Sequence, residues 1–174
     1  MLPEQPPVLT IDSTRGLVQW GDLTLPASLT EGELRTRGGE QVRRLLHHRV
    51  GLVQYSSYAL PSLKGSDGSL YDQAYGSVYF ENGRCTMLTF SLTYAGELPG
   101  WENLSEAGEL KRQDLHEAFL REQLGDPNER TPYGTTLLPT DPPFVTTVYQ
   151  RGWGTVHSGY DFKNGTVGIT IRYR

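Results

Sequence analysis

Two stretches of this chain share one pattern, a pair of strand-like runs joined by Asn-Gly. They are Val78-Tyr79-Phe80-Glu81-Asn82-Gly83-Arg84-Cys85 and Tyr160-Asp161-Phe162-Lys163-Asn164-Gly165-Thr166-Val167. Asn-Gly between such runs marks a β-hairpin, because both central residues of a type I′ turn need positive φ. In the later hairpin a two-residue Asn164-Gly165 loop pairs Phe162 with Val167, Tyr160 with Ile169, Ser158 with Ile171 and Val156 with Tyr173. That face is apolar, and the other collects Asp161, His157, Thr170 and Arg172. A one-residue slip would set Val156 against Arg172 and destroy the alternation.

The earlier hairpin, expected over Tyr71–Phe80 and Cys85–Tyr94, leaves two registers open. A two-residue loop puts Tyr71, Tyr75 and Tyr79 on a face with Leu88, Phe90 and Leu92, making them core. A three-residue loop with a bulge at Gly83 puts them with Met87, Thr89, Ser91 and Thr93, as an exposed tyrosine row of the kind binding surfaces favour.

Elsewhere the pattern is mixed. Val8–Ile11 and Leu17–Trp20 are strand candidates. Thr30 with Glu33 forms a capping box, Leu29 and Leu34 a hydrophobic staple, and Gly38-Gly39 stops that helix early. Glu40–His48 fits loop, helix or strand equally, and Val50–Tyr58 reads as a strand. Asn103, with Glu106 three residues on, is the expected cap of the longest helix, which ends at Leu124-Gly125-Asp126-Pro127. Its apolar stripe is Leu104, Ala107, Leu115, Ala118 and Phe119. Gly125 to Pro143 reads as a long irregular segment, and strands near Thr146–Tyr149, Gly152–Tyr160 and Val167–Tyr173 close the chain. The expected fold is a single α+β domain over residues 1–174: two helices on one side of a twisted antiparallel sheet of about six to eight strands.

Composition narrows the function classes. A net charge of -4 argues against a phosphate-backbone binder, so no nucleic-acid partner is expected. The single cysteine, Cys85, permits no internal disulfide. No apolar run approaches the roughly 18 residues of a membrane helix, and Met1–Pro7 lacks the regions of a signal peptide. The expectation is a cytoplasmic protein without a membrane partner.

Catalytic patterns are missing. His47 and His48 are adjacent and diverge on either kind of element. His116 lacks a glutamate three residues before it, since Gln113 stands there, and His157 falls on the polar face of the last hairpin without an evident nucleophile. Gly152-Trp153-Gly154 lacks the third glycine of a dinucleotide fingerprint, and neither a nucleophile elbow nor a phosphate-binding loop occurs. No cofactor and no metal are expected. Trp101 precedes the long helix in a loop, where it either packs the helix end or serves as a binding anchor.

The order and spacing of several segments resemble a group of small bacterial proteins that look like immunity proteins of polymorphic toxin systems. The matching residues include Gly16-Leu17-Val18, Leu29-Thr30-Glu31-Gly32-Glu33-Leu34, Val78 to Arg84, Trp101-Glu102-Asn103-Leu104-Ser105 and Glu109-Leu110-Lys111-Arg112. They continue through His116, Gln123-Leu124-Gly125, Trp153-Gly154, Ser158-Gly159-Tyr160-Asp161 and Ile169-Thr170-Ile171-Arg172-Tyr173. The resemblance implies helices packed on an antiparallel sheet and supplies no catalytic residues to carry over. The expected function is a non-catalytic module that binds and neutralises a cognate toxin. Its partner-binding candidates are Trp101, Tyr71, Tyr75, Tyr79, Glu102 and Glu106, together with the loop 125–143. The alternatives are a small hydrolase-like enzyme using His157 or His116, and an assembly subunit with an exposed strand edge.

Overall fold

The computed structural model describes residues 8–132 and 144–174. Three short strands open the chain, β1 (Leu9–Ile11), β2 (Val18–Trp20) and β3 (Leu23–Leu25), which form a small antiparallel sheet. Helix α1 (Glu31–Gly38) follows, started by the capping box of Thr30 and Glu33. Then come β4 (Arg43–Val50), β5 (Val53–Ala59), β6 (Leu63–Lys64), β7 (Gln73–Glu81) and β8 (Arg84–Thr93). Helix α2 (Glu106–Leu124) crosses to β9 (Glu129–Pro132), β10 (Val145–Arg151), β11 (Gly154–Asp161) and β12 (Thr166–Tyr173).

The α+β class and the antiparallel pairing are as expected, but the sheet is larger. Nine strands run in the order β4-β5-β7-β8-β12-β11-β10-β9, with β6 beside β7, and the three-stranded sheet is additional. Strands of two to four residues, such as β3, β6 and β9, are too short to show a period, which is why the count exceeds six to eight. The large sheet has two halves, β4 to β8 and β9 to β12, each built mainly from neighbours in sequence. Only β12 against β8 joins them, through Ile169↔Phe90 to Arg172↔Met87.

Both helices and the small sheet lie over one face. The Tyr58 hydroxyl donates to Glu31 at 2.6 Å, Phe119 meets Phe90 edge-on, and Trp20 meets Phe90 from the small sheet. The core cluster therefore joins Trp20, Leu34, Phe80, Phe90, Phe119 and Ile171. No described helix is long and apolar enough to cross a membrane.

Of the two loops left open, the Asn82-Gly83 turn is the two-residue one, with φ of 49° and 77°. Phe80 then pairs with Cys85 and Tyr79 with Met87, so Thr86 is a bulged extra residue. The tight turn and the better sorting of polar from apolar side chains are both achieved, because the bulge changes register just after the turn. Beyond it Tyr75 faces Ser91 and Val78 faces Leu88.

Several expectations are corrected. In the last hairpin Tyr160 pairs with Val167 and Val156 with Ile171, two residues from the expected register. A slip of two preserves every face, so alternation is blind to it. The loop holds four residues, closed by Gly165 N–H donating to Asp161 O at 2.8 Å, and Phe162 is 69% exposed instead of packed. Ser105, not Asn103, caps α2, its hydroxyl accepting from Gly108 N–H, while Asn103 closes a short 3-10 turn over Trp101–Asn103. Of the expected stripe, Phe119 is buried, Leu115 half-buried, and Leu104, Ala107 and Ala118 are exposed. The ambiguous Glu40–His48 contains most of β4, and the single strand expected over Val50–Tyr58 is broken by a turn at Gly51-Leu52. The irregular segment 125–143 contains β9; its residues 133–143 lie outside the described residues.

Candidate binding surface

Helix α2 is positioned by polar side chains. Strands β8 and β12 part after Phe90–Ile169; two residues on, the same register would pair Leu92 with Val167. Their amides donate instead to the helix, Leu92 N–H to His116 Nε2 at 2.9 Å and Val167 N–H to Glu109 Oε2 at 2.8 Å. Gln113 Oε1 accepts from Val145 N–H at 2.6 Å, and Gln123 Oε1 from Ile11 N–H at 3.0 Å. Amides shielded from water need acceptors, and one helix face supplies them, positions 109 and 116 where the ladder opens and positions 113 and 123 to β10 and β1. Apolar periodicity does not mark these polar positions, although Phe119, Leu120 and Leu124 of the same helix are buried in the hydrophobic core.

The same burial removes two groups from chemistry. His116 is fully buried, and because its Nε2 accepts, Nδ1 carries the proton. Burial, with the Arg112 charge nearby, holds its pKa down to about 3, so the ring is neutral and closed to substrate. Burial pushes the Cys85 thiol up to about 12, leaving it a poor nucleophile. Glu109 is also raised by burial and Arg112 lowered by it, yet their side chains meet at 3.0 Å and Arg112 is also paired with Glu97.

That last pair fixes the base of the loop leading into α2. Glu97 accepts from Tyr94 N–H at 3.2 Å, and Lys111 lies over the Tyr94 ring at 5.6 Å. Within the loop, Asn103 Nδ2 donates to Pro99 O at 2.6 Å and Asn103 N–H to Gly100 O at 3.1 Å. Pinned in this way, the loop still leaves Trp101 75%, Leu98 68% and Leu104 36% exposed. Glu102 and Glu106 stand exposed beside them. Of the six sequence candidates, three thus belong to one ordered apolar and acidic protrusion.

The tyrosines separate. Tyr71 precedes β7 and turns into the core, edge-on to Phe119, and burial raises its pKa. Tyr75, 48% exposed with its hydroxyl donating to Gln73, and half-buried Tyr79 lie on the sheet face away from the helices. Across that face runs the row Leu46, Ser57, Tyr79, Met87 and Arg172, one residue from each of five adjacent strands. A shallow cleft of about 310 Å³ follows the row, with His48, Tyr55 and Glu81 on its wall. His157 sits farther along, half-buried between Thr170 and Val148. No group of three potential metal ligands converges among the described residues.

No protein-family model, no curated protein and no solved structure matches this chain.

Proposed function

We propose that this protein is a non-catalytic protein-binding module, an immunity protein that binds a cognate bacterial toxin and blocks it. The observation that carries the binding reading is the protrusion at residues 98–106. An isolated indole left three-quarters in water, on a loop whose backbone is already hydrogen-bonded, is a pre-organised anchor for a partner pocket. Glu102 and Glu106 beside it complement a basic rim and would raise the rate of encounter. The toxin as partner rests on the resemblance of the chain to immunity proteins. Hydrolysis is disfavoured, since His116 is closed to solvent and the cross-strand partners of His157 among the described residues are Thr170 and Val148, neither of them a carboxylate.

The test begins with the partner that the purified protein retains from lysate of its source organism. Trp101→Ala should weaken that complex by roughly tenfold or more, as expected of a hot-spot residue, with the unfolding midpoint unchanged. Unchanged affinity would remove the protrusion from the interface. A toxin partner should stop inhibiting growth when this protein is co-expressed; persistent inhibition would reject neutralisation.

A further inference from the structure

We propose that the outer edge of β4 is an acceptor for an extended segment of a partner protein, one that alternates acidic with apolar side chains. This surface is separate from the acidic protrusion and opposite in charge. β4 ends the strand order of the large sheet, so one side of its backbone is paired to β5 and the other is not paired among the described residues. All eight of its residues are exposed, Leu45 by 47%, Leu46 by 45% and Val50 by 60%, and Leu52 at the hairpin tip by 90%. An edge of this length with apolar side chains in water invites an added strand.

The chemistry of the added strand follows from the register. Arg44, His47 and Arg49 pair with Tyr58, Ser56 and Gln54 and so share the helix-bearing side of the sheet. Leu46, His48 and Val50 pair with Ser57, Tyr55 and Val53 and share the open side, with Arg43 opposite Ala59 at the far end of it. Arg43, Arg44 and Arg49 make no ion pair among the described residues, and no carboxylate occurs in the sequence from Gln41 to Gln54. In a chain of net charge -4 this is a local reversal of sign. An incoming strand must therefore offer carboxylates on one face and apolar groups on the other, which cross-strand pairing rewards directly. A second copy of β4 is a poor occupant, because it gathers the arginines of both chains on one joint without a carboxylate. The bulge between Arg44 and Leu46 further upsets the match of like edges.

The probe is a synthetic peptide alternating Glu with Ile over one strand length, titrated against the full chain, with its Lys-for-Glu counterpart as control. The expected result is slowed hydrogen exchange at β4 amides and binding that weakens with added salt. The Lys peptide should bind at least about tenfold more weakly. Arg44→Glu with Arg49→Glu should reverse the preference between the two peptides, a readout that a folding defect cannot produce. Equal binding of both peptides, absence of β4 protection, or a dimer whose β4 amides are protected without peptide would each overturn the proposal.

Discussion

His116 shows how a single side chain changes meaning with its surroundings. Its folded value of about 3 lies below the ordinary 6.5, so the unfolded chain takes up the proton first as pH falls. Stability attached to the neutral ring is therefore whole above pH 6.5 and is lost progressively below it. Between pH 6.5 and 5 the loss from this group is about 2 kcal/mol. Glu109 acts in the opposite sense: burial raises its carboxyl, so the folded state holds that proton longer and gains stability as pH falls. Urea unfolding of His116→Gln, which keeps an acceptor near Leu92 N–H but has no charge to gain, should show a shallower loss from pH 7 to pH 5 than the parent. An equal slope would mean that the ring protonates without opening the fold. His116→Ala should cost about 3 kcal/mol at pH 7, because it leaves a buried amide unpaired and a cavity beside it.

At the scale of elements, the two Asn-Gly turns separate although their sequences match. Asn82 and Gly83 both adopt positive φ, and Asn82 Oδ1 accepts from Gln54 N–H at 2.9 Å, linking this turn to β5. Asn164 has no positive φ, and Gly165 alone carries the left-handed conformation in a loop organised by Asp161. Asn82→Ala should therefore cost about 1–2 kcal/mol, and Asn164→Ala less than about 0.5 kcal/mol, compared by thermal or urea unfolding. Equal costs would show that local turn propensity, not the neighbouring strand, sets the worth of Asn82. Helix α2 makes the complementary point. Glu109, Gln113 and His116 are polar by type, yet they are buried: Glu109 and His116 supply acceptors to the parted ladder of β8 and β12, and Gln113 supplies one to β10.

For the whole molecule, the first strands are a lid on the core. Trp20 is fully buried, meets Phe90 edge-on, and donates from its indole nitrogen to Pro61 O at 2.7 Å. Trp20→Ala should cost about 4 kcal/mol, measured as a shift in the urea midpoint at unchanged slope. A cost near zero would mean that the small sheet is dispensable to the core. With the helices and the small sheet on one face, the described residues leave the other face of the large sheet to Tyr75, Tyr79, Thr89 and Thr170. Trp101 stands apart from that face, on the loop at the entry to α2.

Much of this was legible in the residues themselves, and what was not has a common cause. The capping box at Thr30, the tight turn at Asn82-Gly83, the α+β class and the faces of β11 and β12 follow from local sterics and a period of two, which any short window of sequence carries. The exposure of Trp101 and the burial of Tyr71 were not decidable locally, since each depends on whether a distant element such as Phe119 arrives to cover it. The two-residue shift of the last hairpin, the bulge at Thr86 and the strand nature of Arg43–Val50 belong to the same class. A strand whose sequence runs in doublets, Arg-Arg, Leu-Leu, His-His, shows no alternation, and only pairing with β5 makes it one. Local chemistry chose turns, caps and faces; long-range pairing chose partners, and with them which side chains remain in water, because hydrogen bonds between strands and burial between layers exist only once the distant residues meet.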